Sequence, residues 1–308
     1  MKFELTILGS GAAAPTLRRN PTAQVLDMHD KFFLIDCSEG TQSQLRKARI
    51  KFQRINQIFI SHLHGDHYLG LPGLVSSMHL LGRSAPLDIY ASPELEELMK
   101  LNLKISETYL NFELRFHHLE KNQTGLIFED NSLEIYTFPL KHRIACHGFV
   151  FKEKRRQPKI SKDSIMRYRL SVEQIKLAKE LKDIPLNDGT ILPFLEVATP
   201  GPEPRIYAYC SDTIYDPAII PHIQGANLLY HESTFLNEHA LRAKATFHTT
   251  ASQAAMIANE AGVRELLLGH FSSRYTNVAP FMEEAKVNFP NVSLADDLLI
   301  VNIPYVNF

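Results

Sequence analysis

The chain opens on strand-like patterns. Phe3 to Leu8, Thr22 to Met28, Lys31 to Asp36 and Gln57 to Ile60 are short apolar or alternating runs, which predict buried or half-buried strands. Thr41 to Ala48 reads as a short helix among them, and Leu87 to Ala91 as another strand. Pro93 to Leu103 follows Ser92 and carries Glu94, Glu96 and Glu97 in its first turn, so a helix capped by Ser92 is predicted, with acidic residues at the positive end of its dipole. Strand pattern returns at Phe112 to His117, Leu126 to Phe128 and Leu133 to Phe138, and a second half opens with Gly148 to Lys152. The rhythm breaks between Phe151 and Arg205, and residues 151–204 read as an insertion in which Val172 to Leu181 has helical spacing of Ile175, Ala178 and Leu181. Arg205 to Cys210, Asn227 to His231, Leu266 to Gly269 and Leu298 to Asn302 follow as strands, with a helix from Ala251 to Ala261 stopped by Gly262. Two β-rich halves with helices outside them predict an α/β fold, a four-layer αββα sandwich, in one domain over residues 1–308 with 151–204 as a protruding insert.

Chemistry concentrates at the ends of these strands. Behind the apolar run Ile58-Phe59-Ile60-Ser61 comes His62-Leu63-His64-Gly65-Asp66-His67, a His-x-His-x-Asp-His cluster expected on a tight turn that aims several side chains inward. Imidazole nitrogens and carboxylate oxygens suit Zn²⁺ at about 2.0–2.2 Å, and a catalytic ion keeps a position open for water. One loop cannot saturate two ions, so further ligands are expected from later strand ends. His142, Asp212 and His270 each close a strand-like run. Alone, each is ordinarily a surface or core residue; their shared position points to convergence on one site. Nitrogen and oxygen donors without paired thiols describe an open catalytic centre rather than a closed structural one.

Composition narrows the reading only in places. Hydrophobic residues make up 44% of the 308, enough for a large core, and no apolar run approaches the roughly 20 residues a membrane helix needs. The amino terminus enters a strand pattern with no signal-peptide core, so a cytoplasmic location is expected. Cys37, Cys146 and Cys210 are odd in number and widely spaced, as reduced buried thiols are. A formal net charge of −1 is silent about nucleic acid, but residues 152 to 169 hold eight Lys or Arg, Lys154, Arg155 and Arg156 among them, against Glu153 and Asp163. Such a run can neutralise phosphates and release counterions, while most charge runs are solvated surface. Arg274, in the loop after His270, has a guanidinium fork suited to a phosphate, with a structural ion pair as the other reading. Asp36 at a strand end reads either as an orienting partner of a ligand histidine or as a turn cap.

The cluster and its distant partners resemble the metallo-β-lactamase superfamily. Flanking segments are similar more narrowly to ribonuclease Z, the transfer-RNA 3′-end endonuclease family. They are Thr6 to Gly11, Leu34 to Gln42, Ser61 to Leu74, His231-Glu232-Ser233-Thr234-Phe235, His248-Thr249-Thr250-Ala251 and Gly269 to Tyr275, spread over nearly the whole chain. The resemblance implies a sandwich of metallo-β-lactamase type and a zinc-dependent endoribonuclease that removes the 3′ trailer from precursor tRNA. It implies two Zn²⁺ per subunit, one on His62, His64 and His142, the other on Asp66, His67 and His270, with Asp212 bridging. Asp66 would also accept the proton of water, and His248, oriented by Glu232, would protonate the leaving 3′ oxygen. The insert would be an arm that grips tRNA, Arg18, Arg19 and Asn20 would lie near the cleaved end, and the protein would be a homodimer. Two alternatives stay open: another hydrolase of this fold acting on small phosphodiesters or esters, and a non-catalytic RNA-binding protein that zinc merely stabilises.

Overall fold

The computed structural model describes residues 2–305, and the chain forms two compact units. Among the described residues one unit is built from 2–129, Glu134–Phe151 and Ile206–Ile303; the other from Asp130–Leu133, Lys152–Arg205, Pro304 and Tyr305.

The larger unit is a sandwich. Strands β1 (Phe3–Gly9), β2 (Ala23–Met28), β3 (Lys31–Ile35), β4 (Ile55–Phe59), β5 (Leu87–Ala91) and β6 (Leu114–His118) follow one another across the first sheet. β1, β2 and β3 pair antiparallel, whereas β3, β4, β5 and β6 run parallel. Parallel neighbours need crossovers, and these are helical: α1 (Thr41–Lys47) precedes β4, α2 (Gly65–Tyr68) and α3 (Leu71–Leu80) precede β5, and α4 (Glu94–Ile105) precedes β6. Leu71, Leu74, Val75 and Met78 of α3 and Leu95 and Met99 of α4 are fully buried against this sheet with Leu34, Ile58 and Ile89. Gly70, where α2 passes into α3, lies against the Ser38 carbonyl so closely that no side chain fits.

The second sheet begins with β7 (Gly125–Glu129), β8 (Leu133–Leu140) and β9 (Cys146–Glu153). After β9 the chain enters the smaller unit, where β10 (Lys159–Ile160) pairs with β13 (Ala198–Thr199) and β11 (Ile184–Pro185) with β12 (Ile191–Leu192). Helices α5 (Lys162–Tyr168) and α6 (Val172–Lys179) belong to it, and Leu170, Ala178, Ile184, Leu192, Val197 and Ala198 form its own core. Arg205 and Glu153 are buried there as an ion pair at 2.7 Å, with Tyr305 donating to the same carboxylate at 3.0 Å. The chain then returns as β14 (Ile206–Cys210), α7 (Ile220–Ile223), β15 (Leu228–Glu232), α8 (Ala240–Thr246), α9 (Ala251–Glu260), β16 (Leu266–Gly269), α10 (Ala279–Lys286) and β17 (Val292–Leu294). The second sheet has the order β17-β16-β15-β14-β9-β8-β7, and β18 (Ile300–Asn302) crosses back to pair with β1. Ala254, Ala255, Ile257 and Ala258 of α9 and Phe281 and Ala285 of α10 bury against its outer face. Between the sheets, Phe33 and Phe59 meet Phe149 and Phe151 with ring centroids 5.5–5.8 Å apart. The order is helices, sheet, sheet, helices, the expected four layers.

Several elements depart from expectation. Ser92 does not cap α4: Pro93 holds the cap position without a side-chain bond, and Ser92 contributes only its carbonyl, to the Leu95 N–H at 3.1 Å. The His-x-His-x-Asp-His cluster is not all turn, since Gly65–Tyr68 closes a helical turn that carries Asp66 and His67. Helices α3, α5 and α10 and strand β17 occupy ground that the hydrophobic pattern left unassigned. Gly262 does end α9, at φ 60°.

Candidate metal centre

The carboxyl edge of each sheet supplies the site. His62 and His64 follow β4 and Asp36 follows β3, its parallel neighbour. Asp212 follows β14, Glu232 ends β15 and His270 follows β16, three strands that run parallel. Parallel strands end at one edge, so residues far apart in sequence are neighbours in space. His142 follows β8. His270 lies in the left-handed region at φ 59°, as does Asp36 at φ 55°, a conformation that costs free energy in ordinary residues and persists where surrounding contacts demand it.

Every histidine and aspartate expected to bind metal is brought together. His62 Nε2, His64 Nδ1 and His142 Nε2 are 3.1 Å apart in succession, and Asp212 Oδ2 stands 3.6 Å from His62 and 3.7 Å from His142. Asp66 Oδ2, His67 Nε2 and His270 Nε2 form a second group at 3.5–3.6 Å, faced by Asp212 Oδ1 at 3.2 and 3.4 Å. A tetrahedral ion about 2.0–2.1 Å from its donors holds them about 3.3–3.4 Å apart, so both groups have the spacing of a coordination shell. Asp212 presents one oxygen to each.

Two further observations support the fit. The Nε2 atoms of His67 and His270 are buried and have no hydrogen-bond partner, a costly state for a polar atom that a cation would relieve. The opposite nitrogens are held: His67 Nδ1–H donates to Asp36 Oδ2 at 2.8 Å, His62 Nδ1–H to Ser61 Oγ at 3.1 Å, His142 Nδ1–H to the Phe247 carbonyl at 3.0 Å and His270 Nδ1–H to Thr234 Oγ1 at 2.9 Å. Such partners set the tautomer and aim the other nitrogen inward. Burial, reinforced by the neighbouring imidazoles, keeps His62 neutral well below its usual range, the form that ligates. Burial opposes charge on His67 as well, but Asp212, Asp36 and Asp66 outweigh it and raise the ring well above its usual range. The pocket therefore holds a surplus of negative charge that divalent cations would neutralise.

Asp36 thus orients His67, a candidate ligand. It is wholly buried and also accepts from Ser61 N at 2.7 Å, Ser61 Oγ at 2.9 Å and the Tyr209 hydroxyl at 2.6 Å. Sequence reasoning missed Tyr209, three residues before Asp212 on a buried strand, because a tyrosine in a strand carries no mark of its partner.

Glu232 and His248 meet beside the candidate ligands. Thr250 caps α9 in a capping box with Gln253, which sets His248 just outside the helix. His248 Nδ1–H donates to Glu232 Oε1 at 2.9 Å; the carboxylate is completely buried and also accepts from the backbone of Thr213, Thr234 and Thr249. Burial opposes protonation of His248, but the charge and hydrogen bond of Glu232 push it up to about 9.

A cavity of about 620 Å³ opens over the cluster. Arg274 lines it, as expected, together with Arg143 and Arg242, which were not anticipated. Arg143 adjoins His142, a clue that was available; Arg242 on α8 carried none. Arg19 and Asn20, expected near the cleaved end, are hydrogen-bonded to neighbouring parts of the same unit: Arg19 reaches Ser10 Oγ and Asp296, and Asn20 binds Asp297 at 2.8 and 2.9 Å. Lys154, Arg155 and Arg156 lie in the smaller unit, where Arg155 pairs with Glu203 at 2.5 Å and Arg156 with Glu153 at 3.8 Å and with the Tyr305 hydroxyl. Cys37, Cys146 and Cys210 are free and buried. Among the described residues no helix is long and apolar enough to cross a membrane.

Comparison with known proteins agrees with this geometry. Residues 3–184 match a family model described as anti-Pycsar protein Apyc1. A ribonuclease Z of Bacteroides fragilis is 47% identical over 302 residues, covering 98% of this chain and 99% of its own. The crystal structure of the short form of human tRNase Z superposes with a TM-score of 0.70 at 28% identity, over 98% of this chain and 99% of that one. A metallo-β-lactamase fold protein of Bacillus subtilis, YhfI, superposes equally well at 19% identity over 98% of this chain and all of its own. The family-model match stops before Asp212, Glu232, His248 and His270; the ribonuclease Z match spans them.

Proposed function

Because the chain belongs to the ribonuclease Z family and has a metallo-β-lactamase fold, we propose the following division of labour for the tRNA 3′-processing endonuclease it is. The observation that carries it is the convergence of seven side chains from both halves into two donor groups sharing Asp212, with a buried Glu232–His248 pair at their edge.

His62, His64 and His142 would hold one Zn²⁺, Asp66, His67 and His270 a second, and Asp212 both. Two such cations supply Lewis-acid charge that favours ionisation of water and offsets charge on the phosphate oxygens. The residues do the rest. Asp66 Oδ2 is occupied by the Ala13 N–H at 2.7 Å and faces His67 and His270, which leaves Oδ1 to take the water's proton. His248 is protonated at neutral pH through Glu232 and donates to the departing 3′ oxygen. Cleavage then leaves a 3′-hydroxyl on the tRNA and a 5′-phosphate on the trailer. Arg143, Arg242 and Arg274 give the cavity its positive rim and would hold flanking phosphates. The insert 151–204, with Lys154, Arg155 and Arg156, would be the arm that grips tRNA, its arginines braced by Glu203, Glu153 and Tyr305. Family membership also motivates a homodimer acting in the cytoplasm, which sedimentation of the purified protein and fractionation of cells would check.

The test is cleavage of a precursor tRNA by the purified protein with and without a chelator, with both ends of the cut mapped. A chelator-sensitive cut just after the mature 3′ end supports the proposal. Turnover of a small phosphodiester such as bis-p-nitrophenyl phosphate with the precursor left whole would favour a small-substrate hydrolase, and tight RNA binding without any cut a non-catalytic partner. Deletion of residues 154–198 should abolish precursor cleavage while sparing the small phosphodiester; equal losses on both would remove the arm from the account.

A further inference from the structure

Thr234 is buried between the proton donor and the metal ligands, and its hydroxyl touches both. Thr234 Oγ1 lies 2.9 Å from His270 Nδ1, 2.8 Å from Glu232 Oε2 and 3.2 Å from His248 Nδ1. A hydroxyl has one proton to give and two lone pairs to receive with, which fixes how these contacts are made. His270 Nε2 is buried, unpartnered and directed at Asp66 and Asp212, so the proton of neutral His270 sits on Nδ1 and is donated to Thr234. The hydroxyl proton then goes to Glu232 Oε2, which also receives the Thr234 N–H at 2.9 Å. His248 gives its Nδ1–H to the other oxygen, Oε1, at 2.9 Å rather than to the more distant hydroxyl. Hydrogen bonds thus run from His270 through Thr234 to Glu232 on one side and from His248 to Glu232 on the other.

Resting on the reading of His270 as ligand and His248 as proton donor, we propose that Thr234 is a positioning residue that ties both to the single Glu232 carboxylate. Its hydroxyl selects the ligating tautomer of His270 and fixes the carboxylate on which His248 is mounted. Valine has the same shape without the hydroxyl. In Thr234→Val the buried Nδ1–H of His270 has no acceptor, so the tautomer bearing its proton on Nε2, which cannot ligate, competes with the ligating one. Glu232 Oε2 loses a donor at the same time.

Zinc affinity is measured without RNA, by competition with a chromogenic chelator, and kcat and KM on precursor tRNA are measured at saturating zinc. Thr234→Val should weaken zinc about 10–100-fold, the usual cost of losing an outer partner of a ligand. It should also lower kcat with KM little changed, while Thr234→Ser, which keeps the hydroxyl, restores both. Wild-type zinc affinity in Thr234→Val, or a Thr234→Ser protein as weak as Thr234→Val, would overturn the proposal. Thermal melting checks that the variants are folded, and if Thr234→Val is not, Thr234→Ala against Thr234→Ser makes the same comparison. A wild-type protein that binds zinc but leaves precursor tRNA whole would sink the proposed function, and the zinc comparison would still decide the part played by Thr234.

Discussion

Individual residues at this centre divide into those that face the cavity and those that hold them in place. His248 faces it, and its protonated form prevails below about pH 9 because Glu232 outweighs the burial that opposes charge. An acid of this kind works while protonated, so kcat should fall as pH rises through its pKa. His248→Gln should lower kcat by about 10²–10⁴-fold with zinc content intact and should lack the alkaline limb. A pH–rate profile with metal analysis checks this, and near-normal turnover at full occupancy would exclude His248 from the reaction. Tyr209 is a holding residue. Its hydroxyl donates to Asp36, which in turn orients His67. Tyr209→Phe removes a hydrogen bond to a buried carboxylate and should cost about 1.5–3 kcal/mol, read from the denaturant midpoint, together with weaker zinc binding. An unchanged midpoint would mean that Asp36 finds another donor.

Among elements, strands at the centre of each sheet were legible because burial on both faces leaves near-continuous apolar runs such as Leu266-Leu267-Leu268. Helix α3 was not, although Leu71, Leu74, Val75 and Met78 stand at helical spacing, because Gly70, Pro72 and Gly73 are poor helix formers that mask the pattern at its start. Pro72 is tolerated there, as it falls in the first turn where its missing N–H has no partner to lose. α4 shows the reverse error: the Ser92 cap was inferred from residue type, but Pro93 takes the cap position itself. Within the smaller unit, the buried Arg205–Glu153 pair was invisible in sequence, since Glu153 sat in a run of charges that reads as solvated surface and Arg205 opened a predicted strand far downstream of it. Arg205→Ala would remove the nearest charged partner of the buried Glu153 carboxylate, with Tyr305 and Arg156 remaining, and should destabilise that unit by about 1.5–3 kcal/mol. Early protease cleavage within residues 152–205 would register the loss, and a wild-type digestion pattern would contradict it.

For the whole molecule, the donor groups gather side chains from positions 62 to 270, so a bound cation is linked to the folded state of the larger unit and not to any one segment. A ligand that binds only the native form stabilises it by about 2.7 kcal/mol at a hundredfold excess over its dissociation constant. Chelation should therefore lower the melting temperature and added zinc restore it, while Asp212→Ala, which lacks the carboxylate common to both groups, should show a much smaller difference. A melting temperature indifferent to chelator in the wild-type protein would break the link between fold and metal. Residue type and strand-end position were enough to mark His62, His64, Asp66, His67, His142, Asp212 and His270 as candidates that the fold gathers into one cluster, because side chains able to hold a metal come from a short list and parallel strands deliver their ends to one edge. The outer supports, Tyr209 on Asp36 and Thr234 between Glu232 and His270, and the place of Arg143 and Arg242 on the cavity rim, were decided only by the tertiary structure. A hydroxyl or guanidinium is chemically indifferent to its role until packing settles which acceptor lies within about 3 Å of it, and that distance is set by how strands far apart in sequence line up within a sheet and across the sandwich.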